Sequence, residues 1–230
     1  MNLVQEIHQA HFFTDNQDVT ASPPIVTALM NSIGKFNLIP NMGQEINAIT
    51  GERKLIPMMV SPDQSLHVEF PRNEIVIIGT VGSQHEFMGK SLGIFEALAS
   101  VFPEKKGNRL SILNSRIFKA EEDTYSCLYR QLFTHHKAQP FEWDNRIVER
   151  RTLPKCGETI NSISSIRRCE IMGQAPSLAE PMDCVIFDLD SNTVQHNTKL
   201  RFSLEQAHVV FKELHENNLA LSKQLKRYTE

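Results

Sequence analysis

The chain is short of the features that announce a chemistry. Cysteine occurs four times in 230 residues, as Cys127, Cys156, Cys169 and Cys184, with no C-x-x-C pair. That spacing excludes a zinc knuckle and a disulfide frame, and implies reduced, mostly packed thiols. No apolar run approaches membrane-spanning length, and the start, Met1-Asn2-Leu3-Val4-Gln5-Glu6, has neither a basic segment nor an apolar core of the signal-peptide type. A cytoplasmic protein with no membrane partner is the expectation. Charge of one sign is also missing: the net charge is −3 and the pI is near 6.3, so no overall positive field draws the chain to nucleic acid or anionic lipid. With 40% hydrophobic and 22% charged residues and no low-complexity tract, the composition is that of an ordinary globular chain able to bury a core unaided.

Hydrophobic patterning supplies the fold. Residues 2–13 have weak helical spacing through Leu3, Ile7 and Ala10, followed by a polar stretch to Thr20; residues 1–20 read as a docking arm. Ser22-Pro23-Pro24 starts a helix with Ile25, Leu29 and Ile33 on its buried face and Gly34 as its stop. Strands are expected at 36–40, 53–60, 66–70 and 74–81, with Pro62-Asp63 and Pro71-Arg72-Asn73 as turns. Ser83-Gln84-His85-Glu86 is a capping box opening a helix to about residue 102. Further strands are expected at 109–118, 141–153, 159–172 and 182–190, a helix at 121–133, and a loop at 173–181. A second capping box, Ser203-Leu204-Glu205-Gln206, opens the closing helix. Strands followed by a capped amphipathic helix thus occur twice. The expectation is an α+β fold, mostly antiparallel sheet, in two related lobes (21–103 and 104–230) with helices on one face.

The closing helix places Leu204, Ala207, Phe211, Leu214, Leu221 and Leu225 at alternating steps of three and four, interrupted by Asn218. A polar residue in such a seam finds a partner or fixes a register, at a cost in stability. The first half of the helix is expected to pack on its own sheet. The second half is a candidate interface, with Leu221 and Leu225 as apolar contacts and His215 and Asn218 as polar specifiers.

Two motifs imitate catalytic sites. Val185-Ile186-Phe187-Asp188-Leu189-Asp190 resembles the first motif of haloacid-dehalogenase-type phosphatases, in which the first aspartate attacks phosphorus beside magnesium and the second acts as acid and base. The 40 residues after Asp190 cannot supply the later lysine and acidic pair of that family, and Ser191 replaces its usual glycine. A structural strand is the better reading, with a magnesium-dependent phosphohydrolase using Asp188 and Asp190 as the alternative. The second imitation is Gly79 to Ser91, which suggests a phosphate loop. Gln84 stands where the wrapping glycine is needed, and Lys90 falls two turns into the helix. The nine histidines, including the pair His135-His136, carry no metal-ligand spacing, so no metal or cofactor is implied. Arg150, Arg151, Arg167 and Arg168 are the candidates for a nucleic-acid contact, if adjacent strands bring them together.

Arg109-Leu110-Ser111-Ile112-Leu113-Asn114-Ser115-Arg116-Ile117, the acidic pair Asp188 and Asp190, and the late Leu214-His215-Glu216 together resemble a sporadically distributed family of uncharacterised bacterial proteins, over roughly 54–224. The resemblance implies no established enzyme chemistry. The family's patchy distribution is similar to that of mobile-element and phage-defence genes, which implies an accessory or regulatory subunit. Taken with the packing signals, the expected function is a non-enzymatic interaction protein whose partner is another subunit or a second copy of the chain.

Overall fold

The computed structural model describes residues 1–46, 48–135, 137–172 and 180–229; His136 and residues 173–179 of the loop expected at 173–181 lie outside the described residues. The elements run β1 (Asn2–Phe13), α1 (Pro23–Ile33), β2 (Ile39–Ile46), β3 (Arg53–Val60), β4 (Leu66–Glu69), β5 (Glu74–Gly79), α2 (Gln84–Val101), β6 (Lys106–Gly107), β7 (Arg109–Lys119), α3 (Glu122–Leu132), β8 (Trp143–Thr152), β9 (Thr159–Ile171), β10 (Met182–Thr193), β11 (Phe202–Ser203) and α4 (Ala207–Leu225). Among the described residues, nine strands form one sheet in the order β2-β3-β4-β5-β1-β7-β10-β9-β8, antiparallel throughout, while β6 and β11 pair separately.

The expected N-terminal arm is instead the strand that joins the two halves of the sheet. β1 pairs with β5 through His8↔Gly79 and with β7 through His8↔Asn114. Its buried residues alternate, His8, Ala10 and Phe12, which is strand periodicity. A histidine in one of the three inward positions hides that alternation from a hydropathy reading. The halves 21–103 and 104–230 therefore share one sheet, and one core contains Ile33 and Phe95 from the first with Phe211 and Leu214 from the second.

Among the described residues the four α-helices lie on one face. The Phe95 ring of α2 stacks on Phe211 of α4 with centroids 4.9 Å apart and planes inclined by 6°; burying each ring contributes roughly 1.5–3 kcal/mol. α3 covers the far end of the same face, where Tyr125, Leu128 and Tyr129 meet Phe118, Val185 and Phe187. The Ser83–Glu86 box forms as expected, with Ser83 N–H donating to Glu86 Oε2 at 2.7 Å and Glu86 N–H to Ser83 Oγ at 3.2 Å. Its counterpart at Ser203 and Gln206 also closes, but on a turn that precedes the first residue of α4. α1 ends at Ile33 with Gly34 as its C-cap, as expected, but not through a left-handed glycine. Gly34 keeps a right-handed φ of −59°, the chain continues as a 3-10 turn, and Asn37 ends it at φ 62°, a left-handed position that asparagine tolerates. The 3-10 turn also displaces the strand expected at 36–40 to Ile39–Ile46.

Candidate functional site

Asn218 is fully buried and lies over the sheet. Its Nδ2 donates to Asn114 Oδ1 at 2.7 Å and faces the carbonyls of Ile112 and Leu189 at 3.0 and 3.1 Å, while Ser191 Oγ donates to its Oδ1 at 2.5 Å. Asn217 adds bonds to Ser162 and Ser191. Because Asn114 Oδ1 accepts from Asn218, its Nδ2 donates to His8 Nδ1 at 2.9 Å, leaving the proton of a neutral ring on Nε2, 3.3 Å from Gly82 O. Burial lowers the His8 pKa, against the raising effects of the Gly82 carbonyl and Glu6. Burial likewise lowers that of His215, helped by the neighbouring His85.

The interface expected on the second half of α4 is corrected by this packing. Asn218 is 0% exposed, Leu221 6% and His215 7%, and Leu225 packs against the Phe118–Phe187 cluster. The helix lies along its own sheet for its full length, because strands β7, β9 and β10 supply the polar partners that a seam asparagine requires. Earlier on the same helix, Glu213 is buried and accepts from the N–H groups of Lys155 and Cys156 at 3.0 and 2.9 Å. Burial opposes its ionisation, yet these donors outweigh it and hold the carboxyl below its usual range.

Since Leu189 O and Ser191 meet Asn218, strand alternation puts Asp188 and Asp190 on the opposite, helix-free face. They lie inside β10 rather than at its end. Asp188 accepts from Ser115 Oγ at 2.5 Å and pairs with Arg167 at 3.3 Å; Asp190 accepts from Ser111 Oγ at 2.9 Å and Asn192 Nδ2 at 3.0 Å. Among the described residues no group of three or more His, Cys, Asp or Glu is placed to hold a metal ion.

The four arginines do fall on adjacent strands, but not on one surface. The register Arg150↔Asn161↔Asn192 places Arg150 with Arg167 on the helix-free face, and Arg151↔Ile160↔Thr193 places Arg151 with Arg168 on the other. Arg168 is buried, donating to both Asp183 oxygens and both Glu122 oxygens. The Asp183 bonds are the main reason its pKa is raised, so it stays charged. Its guanidinium lies 4.5 Å from the Tyr125 ring centroid and 5.8 Å from that of Phe141. It floors a cleft of about 420 Å³ that also takes in Tyr129, Arg130, Gln139 and Trp143. The sequence reading missed this cleft; Tyr125 and Tyr129, one turn apart on α3, and the chain's lone tryptophan were its signals.

The two edges of the sheet differ in chemistry. β8 carries five charged residues in ten, Asp144, Arg146, Glu149, Arg150 and Arg151, around the exposed Ile147 and Val148. Such charge blunts an edge against pairing with another chain. β2 has one charge in eight, Glu45. Pairs Met42↔Pro57, Gln44↔Leu55 and Ile46↔Arg53 align one side of the β2–β3 hairpin, on the same face as Met59 of the core. Along it Met42, Ile46 and Leu55 are 47%, 55% and 60% exposed. No described strand pairs with the outer edge of β2. The sequence reading missed this edge as well, because Asn41, Gly43 and Gln44 lack strand propensity and only their register with β3 makes them one.

No family model matches this chain, and no curated protein does. Among solved structures, a rolling circle replication initiator protein from Geobacillus stearothermophilus is similar at 12% identity and a TM-score of 0.32, over 94% of this chain and 79% of that one. A likeness of that degree defines neither fold nor function. Among the described residues no helix is long and apolar enough to cross a membrane.

Proposed function

We propose that this chain is a non-enzymatic interaction subunit that takes an extended segment of a partner protein onto the edge of β2. The contrast between the two edges carries the reading: β8 is guarded by charge and β2 is not. An edge strand turns roughly every second N–H and C=O outward, a ready template for one more strand. The exposed strip of Met42, Ile46 and Leu55 lies on one face of that template, and the other carries Asn41 and Glu45, with Ile39 exposed at its start. The fitting partner segment alternates, with apolar side chains toward the strip and polar ones on the face that carries Glu45. The aspartates of the alternative phosphatase reading are occupied by serine, asparagine and arginine partners, which supports a structural role for them. An accessory subunit of a defence or mobile-element assembly is the setting this reading fits.

Selection of displayed random octapeptides on the purified protein tests it. Enriched peptides should alternate apolar and polar residues, and their binding should fall at least tenfold in Met42→Lys and Ile46→Lys, which put a charge on the strip. Concentration-dependent self-association lost in the same variants would identify a second copy as the partner. Enriched peptides without alternation and indifferent to both variants would contradict the reading, as would magnesium-dependent phosphate release lost in Asp188→Asn.

A further inference from the structure

Among the described residues, Arg109 is the one partly buried arginine without an acidic partner. Five arginines are not exposed: Arg109, Arg116, Arg151, Arg168 and Arg201. Arg116 pairs with Glu6, Arg151 with Glu149, Arg168 with Glu122 and Asp183, and Arg201 with Glu158. The guanidinium of Arg109 instead lies over the Phe13 ring, 4.7 Å from its centroid, and its Nε is buried with no hydrogen-bond partner. Glu74, which faces Phe13 across the sheet, is bonded to His11 Nδ1 at 2.7 Å. A charged donor removed from water and left unpaired is costly, and a native chain that keeps one at the wall of a cleft points to a partner from outside.

Arg109 borders a cleft of about 640 Å³, within the range of small-ligand sites. A second arginine, Arg72, lines it from the turn before β5. Since β5 and β7 flank β1, the two cations come to the cleft from either side of that strand. Asp15 is the one acid among the lining residues, and its Oδ1 already accepts from Gln17 N–H at 2.9 Å. One positive charge is therefore in excess. The remaining wall is mostly amide and hydroxyl, from Asn73, Asn108, Gln195 and Thr198.

A monocarboxylate fills one guanidinium fork and leaves the other arginine unserved. A phosphate monoester carries close to two negative charges and three terminal oxygens, enough for both. The cleft is several times larger than a phosphate group, so the ligand has a body, and amide-lined walls suit hydroxyl groups rather than a fatty or aromatic one. From these constraints we infer that the cleft binds the phosphate monoester of a small hydroxylated molecule, a sugar phosphate in class. Arg109 and Arg72 hold the phosphate, and the amides of Asn73, Asn108 and Gln195 meet the hydroxyls. This binding does not depend on the exposed strip of β2.

Calorimetric titration of the full chain with ribose 5-phosphate, glucose 6-phosphate, ribose, inorganic phosphate and a short oligo(dT) tests it. At least one sugar phosphate should bind saturably, more tightly than inorganic phosphate, while ribose gives no heat. Arg109→Gln and the exposed change Arg72→Gln should each weaken that binding about tenfold or more, the loss of one charge-assisted contact. Lys223→Gln, on the exposed side of α4, should leave it unchanged. The urea midpoint of Arg109→Gln should not fall, because the guanidinium has no acidic partner inside the protein to lose; a fall would assign Arg109 a structural role and count against the inference. No saturable binding of either sugar phosphate would overturn it, as would binding indifferent to both arginine variants. Inorganic phosphate or the oligonucleotide binding more tightly than both sugar phosphates would overturn the assignment to a small ester.

Discussion

Replacing Asn218 by alanine should cost far more than the loss of a helical asparagine usually does. The substitution withdraws the donor from Asn114 Oδ1 and from the Ile112 and Leu189 carbonyls, and the acceptor from Ser191 Oγ. Some of this is compensated. Ser191 still accepts from Asn217, and Asn114 keeps its bond to His8. Two groups are left buried and unpaired, each costing roughly 1 kcal/mol, and the void left by the amide adds a similar amount, for a total of about 3 kcal/mol. In urea unfolding this is a fall in midpoint of about 1 M at unchanged slope, for a slope near 3 kcal/mol/M. Lys223→Ala, on the exposed side of the same helix, should stay within about 0.5 kcal/mol. A double-mutant cycle with Ser191→Ala should return a coupling of about 1 kcal/mol. A cost below about 1 kcal/mol for Asn218→Ala, or no coupling to Ser191, would refute the placement of this helix on its sheet.

Two further outcomes follow from the same interior. The side-chain amide of Gln84 is buried with neither Nε2 nor Oε1 bonded, beside a cavity of about 10 Å³ bordered by Asn114 and Arg116; Gln84→Met should therefore stabilise the fold by roughly 0.5–1.5 kcal/mol in urea unfolding, and a loss of stability would show that the amide has a partner in solution. Burial lowers the pKa of both His8 and His215, so the unfolded chain takes up protons first. Their contribution to stability is complete above about pH 6.5 and declines as the pH falls below it. The urea midpoint should thus drop between pH 7.5 and 5.5, with less of a drop in His215→Gln; a flat or rising midpoint contradicts the neutral, buried assignment.

Much of the fold is legible locally. The Ser83–Glu86 box, the strands at 53–60, 66–69, 74–79 and 159–171 and both long helices are written in short-range pattern and capping. The elements that escaped depend on distant partners. His8 occupies an inward strand position because Asn114 and Gly82 satisfy its ring, and nothing near residue 8 in sequence shows that. Asn218 reads as an outward specifier until Asn114 and Ser191, on two other strands, are seen to meet it. The separation of Arg150 from Arg151, in contrast, was available from alternation alone, since neighbours on a strand point to opposite faces. The cleft at Trp143 and the edge at β2 arise from strand order, which single-chain periodicity does not encode.

Hydrogen exchange of the backbone amides, with and without a selected alternating octapeptide, tests the proposed recognition most directly. Added protection confined to Ile39–Ile46, and absent in Met42→Lys, is the result expected for a strand laid along that edge. Protection appearing along β8 or across the helix-covered face instead, with the amides of β2 unchanged, would contradict it.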